Sequence, residues 1–168
     1  MGMIKGQLSN IQQALSVHGQ TIAIGAFMPV VSASISRLDA TKLTRSHRAF
    51  PVGIDTGYSG TLYIAESHIP LMHHAGKDLS DLPYAGTRRL TDASGMTRMV
   101  PMHSAAVWLH GDVGGPVRIP VSPGIVYNPS GSIAIAAPPI PLIGGEFLRL
   151  KNIKLAVDYG ALEFTLTW

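Results

Sequence analysis

The chain has 168 residues, 46% hydrophobic and 14% charged, with a formal net charge of +3. That is enough apolar material for one packed domain, and it excludes a disordered chain. The basic residues are scattered, with Arg88-Arg89 the only adjacent Lys/Arg pair, which argues against a nucleic-acid surface; the absence of cysteine excludes disulfides and Cys-ligated zinc.

In chain order, "MGMIKGQLSNIQQALSVHG" places Lys5 ahead of no apolar run, so no secretory signal is expected. With the lack of cysteine, this points to a cytoplasmic location. "SNIQQALSVHG" predicts a short helix capped by Ser9 or Asn10, and residues 1–27 read as an N-terminal strand/helix extension. "QTIAIGAF" and "PVVSASIS" predict strands. In the second, Val31, Ala33 and Ile35 share one face and Ser32, Ser34 and Ser36 the other. "FPVGID" predicts a strand buried on both faces, and "TLYIA" another after a turn. "AESHIPLMHHAG" predicts a short helix, with Pro70 near its first turn and Gly76 closing it.

"MVPMHSAAVWLHG" and "GPVRIPV" predict extended runs around a Gly-rich turn. Residues 119–145 carry no charge, but Pro120, Pro123, Pro129, Pro138, Pro139 and Pro141 would break a membrane-spanning helix. A buried, loop-rich segment is expected there instead. "GGEFLRLKN" allows a turn or two of helix. In the last segment Ile153, Leu155, Val157 and Tyr159 alternate with Lys154, Ala156 and Asp158; Leu162, Phe164, Leu166 and Trp168 alternate with Glu163, Thr165 and Thr167. Gly160 lies between, which predicts a hairpin. The expected class is mainly β with one or two short helices.

The chemistry concentrates at "FPVGIDTGYSG", where an apolar run ends in one acid, Asp55, followed by Thr56 and Gly57. Asp-Thr-Gly is good turn chemistry and nothing more by itself. The apolar stretch before it would draw the carboxylate out of water, a setting that suits acid–base work. Elsewhere the signals are bland. The seven histidines, His68, His73, His74 and His103 among them, lack ligand-like spacing, so no metal is expected and surface or helix-cap positions are. "GDVGG" and "LIGGE" lack the Lys-Ser/Thr of a phosphate loop, and Ser59 lacks the G-x-S-x-G elbow. No cofactor is implied.

"FPVGIDTGYSGTLYIAES" resembles the active-site strand and loop of the retropepsin-like aspartic proteases, and "PLIGGEFLRLKNIKLAVDYGALEFTLTW" resembles their closing segment of two apolar residues and Gly, a short helix and a final hairpin. "PVVSASIS" is similar to the strand before the Asp strand, so the likeness covers residues 28–168. Tyr58 stands where the family usually has Ala, and Gly145-Glu146 where it often has a polar residue and Asp or Asn.

The resemblance implies a closed, barrel-like acid-protease fold. It implies an aspartic endopeptidase acting on protein or peptide substrates. Asp55, Thr56 and Gly57 would form the catalytic loop, and Leu142, Ile143 and Gly144 would pack beside it. A flap would carry Ala93, Ser94 and Gly95 near its tip. The chain has one Asp-Thr-Gly, so the second carboxylate would come from a second copy in a symmetric homodimer. The closing strands, anchored by Trp168, would pair across the axis. The other reading of the same fold is a non-catalytic dimerisation or peptide-binding module.

Overall fold

A computed structural model describes residues 2–72, 79–91, 95–112, 115–129 and 137–168. In chain order its strands are β1 (Met3–Gln7), β2 (Gln13–Val17), β3 (Gln20–Ile24), β4 (Val30–Ser36), β5 (Phe50–Ile54), β6 (Leu62–Ala65), β7 (Tyr84–Thr91), β8 (Thr97–His110), β9 (Val117–Asn128), β10 (Leu142–Ile143), β11 (Lys154–Asp158) and β12 (Glu163–Thr167). One α-helix, α1 (Gly145–Leu150), lies between β10 and β11, and 3-10 helix spans Glu66–Met72 and Leu79–Asp81. Strand takes 51% of the described residues and helix 11%, so the class is mainly β. No helix among the described residues is long and apolar enough to cross a membrane.

Six strands close into a barrel in the order β4-β5-β10-β6-β9-β8, with β8 pairing back onto β4. Closure leaves those six without a free edge. β7 hangs outside the ring on β8. The barrel interior is filled by Ala33, Ile35, Val52, Leu62, Ile64, Val107, Leu109, Ile119 and Ile125, all buried. A separate sheet, β1-β12-β11, ties the two chain ends together and packs Ile4, Phe164 and Leu166 into the same core.

Three local features go beyond or against the sequence reading. The helix predicted over "SNIQQALSVHG" is the first strand of the β2–β3 hairpin. His18 and Gly19 both take positive φ (50° and 81°), the two-residue turn whose twist suits a hairpin. That turn, with Ile22 and Ile24 buried against Leu71 and Ile140, overrides a weak capping signal. Second, the serine face of β4 is only partly exposed: Ser34 and Ser36 are buried. The chain after β4 folds back over them. Ser34 Oγ donates to His47 O at 3.1 Å, and Trp108 Nε1 donates to Ser36 Oγ at 2.8 Å. Arg118 lies 5.9 Å from the Trp108 ring and donates to Leu38 O and Ala40 O. Third, Trp168 is half-buried against the start of its own chain. Its backbone exchanges hydrogen bonds with Gly2 (3.0 and 3.2 Å), and its ring covers the space where a Gly2 side chain would sit.

Candidate functional site

β5 is held between β4 and β10, and its apolar run fills the core up to Ile54, 5% exposed. Burial stops there. Asp55 is half-buried, while Thr56 and Gly57 are exposed, so the carboxylate sits at a rim and is not drawn fully out of water as the preceding residues suggested. The turn is tight. Asp55 Oδ1 accepts the Gly57 N–H at 2.9 Å, and the Tyr58 N–H donates to Asp55 O at 3.1 Å.

A second segment braces this loop. β10 inserts between β5, to which it runs parallel, and β6, to which it runs antiparallel. The Asp55 N–H donates to Ile143 O at 2.9 Å, the Gly144 N–H to Thr61 O at 2.9 Å, and the Gly145 N–H to Tyr58 O at 2.9 Å. Residue 144 must be glycine: a Cβ there would run into the carbonyl oxygens of Gly60 and Tyr58 and into the Tyr58 ring. Leu142, Ile143 and Gly144 thus lie directly beside Asp55, Thr56 and Gly57.

The Asp55 side of the loop opens on a groove of about 570 Å³. Ala26, Phe27, Met28 and Pro29 form one wall and Leu155, Val157 and Tyr159 of the β11 segment another, with Ile54, Asp55 and Thr56 between them. The 26–29 wall was not legible in the sequence. Phe27 takes a positive φ of 58°, rare for an aromatic residue. Its N–H donates to Ser9 O at 2.7 Å, and its ring meets Tyr159 edge-on at 5.7 Å. The alternation of Leu155, Val157 and Tyr159 was legible, but what that face meets was not.

The other side of the loop is packed. The Tyr58 ring joins Tyr63, Val100 and Val126, with Leu90, Met102 and Leu142 around them, and meets Tyr63 edge-on at 6.1 Å. Its hydroxyl is buried with no hydrogen-bond partner among the described residues. Burial pushes the phenol up to about 12, with Arg88 pulling it back and Glu146 adding to the rise. Arg88 Nη1 and Glu146 Oε2 lie 3.5 Å apart above this cluster and link β7 to α1. The two departures from the family pattern, Tyr58 and Glu146, therefore sit on the same side of the loop, away from the groove lining.

The remaining expected residues are dispersed. β7 and β8 form a hairpin whose turn contains Gly95 at φ 84°; Ala93 and Ser94 lie outside the described residues, as do His73, His74 and Gly76. No described residue of that hairpin lines the groove. Of the histidines expected at surface or helix-cap positions, His68 and His103 are buried, and His68 caps the start of the Glu66–Met72 helix. His68 accepts the Ala65 N–H at Nδ1 (3.0 Å) and donates from Nε2 to Pro138 O (2.6 Å), an arrangement that requires the neutral ring. Burial holds its pKa below the usual 6.5. His103 lies 3.2 Å from Leu82 O. Among the described residues no three His, Asp or Glu side chains group to hold a metal ion.

A scan against protein-family models and a search of curated proteins both match nothing to this chain.

Proposed function

We propose that the chain is an aspartic endopeptidase of the retropepsin-like kind, active as a homodimer. One observation carries this reading: a lone Asp-Thr-Gly turn, clamped by Ile143, Gly144 and Gly145, presents its carboxylate at the rim of an open groove. Preorganisation of this kind is what a catalytic acid needs, because rigid backbone bonds fix its position before substrate arrives. The acid-protease fold belongs to the same proposal, and the insertion of β10 between β5 and β6 supports it.

The chemistry follows from pairing two such loops. Two carboxyls brought about 3 Å apart share one proton, because both cannot ionise easily. One acts as base on a water while the other donates to the peptide carbonyl. Thr56, exposed beside Asp55, would bond between the two loops. The β7–β8 hairpin would have to swing across the loop from the Tyr58 side to act as a lid, closing on an extended peptide by β-type hydrogen bonds. The rate should fall as pH rises above the pair's upper apparent pKa.

The test compares the parent chain with Asp55→Asn on a broad peptide library. Asn keeps the Gly57 bond and cannot take up the proton. Loss of cleavage by about a thousand-fold or more is expected, and equal cleavage by both forms overturns the reading. A second reading, a non-catalytic dimerisation or peptide-binding module, is favoured by the Asp55–Gly57 bond itself, which an ordinary turn acid also makes. A stable dimer that binds peptides and cleaves none would select it.

A further inference from the structure

The closing sheet leaves two strands half-paired. In the order β1-β12-β11, β12 is central, and β1 and β11 each pair only with β12 among the described residues. Of the two closing strands, the last is central, and the sheet's edges are Met3–Gln7 and Lys154–Asp158; on the first, the Lys5 N–H donates to Asp112 Oδ2 at 3.3 Å, and the second borders the groove. Its alternation is clean: Lys154, Ala156 and Asp158 are exposed, while Leu155 and Val157 are half-buried on the groove face.

We propose that this edge is where a second copy of the chain docks, β11 against β11 in antiparallel register with the two-fold axis at Ala156. The proposal rests on the homodimeric reading above and specifies its interface. Three features of the strand select this register. Lys154 falls opposite Asp158 of the partner subunit, and Asp158 opposite Lys154 of the partner subunit, giving two cross-strand pairs of opposite charge. Leu155 falls opposite Val157 of the partner subunit on the apolar face. Ala156, the small residue, lies at the axis, where two identical side chains must meet. A slip by two residues in either direction loses both charge pairs, and a slip by one reverses the faces.

The edge also adjoins the site that needs completing. Leu155 and Val157 line the same groove as Asp55 and Thr56. A copy docked along β11 therefore lies against the groove that holds the lone carboxylate. A charged residue on an edge strand usually guards against pairing, and Lys154 alone would read that way. A lysine and an aspartate symmetric about a central alanine do the opposite, because self-pairing satisfies both. Asp158 keeps this capacity while capping its own turn, since only Oδ1 accepts the Gly160 and Ala161 N–H groups, both at 2.9 Å.

The chain has no cysteine, so a single introduced thiol reports one contact. Facing residues of an antiparallel pair have Cα atoms about 4.5–5.5 Å apart, within disulfide range. Full-length Ala156→Cys should form a disulfide-linked dimer under mild oxidation. Lys154→Cys should not, because its two copies would lie about 13 Å apart along the strand. Lys154→Glu and Asp158→Lys should each weaken the dimer roughly 5- to 30-fold, and mixing the two should give a dimer tighter than either alone. A dimer by sedimentation in which Ala156→Cys fails to cross-link, or in which mixing gives no gain, overturns this interface and leaves the homodimeric reading standing. A chain that stays monomeric at every concentration overturns both.

Discussion

Asp55 and Tyr58 are three residues apart in one turn, yet they meet opposite surroundings. Asp55 opens on the groove, with one backbone N–H on its carboxylate and solvent beyond. The Tyr58 ring is packed among Tyr63, Leu90, Met102 and Leu142, and its hydroxyl is cut off from any partner among the described residues. The difference shows how a barrel presents a carboxylate at its rim. One residue of the turn is sunk into the structure as an anchor, and the rigidity it confers leaves its neighbour exposed and still in place.

The comparison breaks most sharply if the anchor is cut. Tyr58→Ala should cost about 2–3 kcal/mol, somewhat below the range for emptying a fully buried aromatic site because the ring is only partly buried, and should lower any Asp55-dependent activity with it. Urea unfolding measures the first and peptide cleavage the second. A loss under about 1 kcal/mol would mean that the ring is not what holds the turn. Gly144→Ala should follow at about 2–3 kcal/mol, because the added methyl meets backbone carbonyls that cannot swing aside. Its unfolding midpoint should fall with no change in slope.

The pH dependence of stability sharpens the contrast by isolating the buried side. His68 and His110 are held below 6.5 by burial, so the unfolded chain binds protons before the folded one as pH falls. Their contribution is complete above about 6.5 and is lost progressively below it. Tyr58 is raised from 10.0 to about 12. Its contribution is complete below pH 10 and is lost as pH rises from there through about 12. Unfolding midpoints measured across the pH range should show both limbs. Tyr58→Phe should flatten part of the alkaline limb, with Tyr63, also raised by burial, keeping the rest.

The smallest effects are expected from the two most conservative changes. Tyr58→Phe removes a buried hydroxyl that has no partner, so stability at neutral pH should hold or rise by up to about 1 kcal/mol. Asp55→Asn keeps the acceptor for the Gly57 N–H and lies at a half-exposed rim, so its stability should stay within about 0.5 kcal/mol of the parent. A stable Asp55→Asn beside an unstable Tyr58→Ala would separate the chemical end of the turn from its structural end.

The sequence by itself determined a good deal. Period-two alternation and Gly/Pro punctuation fixed a mainly β class, the central strands and the closing hairpin, because those signals are local. The Asp-Thr-Gly turn and the apolar-apolar-Gly element were both legible. Tertiary structure decided the rest. That Ile143 and Gly144 bond to a turn some 85 residues earlier in the chain depends on β10 entering between β5 and β6, and no local pattern encodes that. The burial of Ser34, Ser36 and His68 depends on segments that fold back over them from elsewhere. The sequence marked Leu155, Val157 and Tyr159 as one face, but only the tertiary fold put β12 between β1 and β11, left β11 at an edge and turned that face toward Asp55. A strand's own residues set which way its side chains point; the order of strands in the sheet sets what they meet.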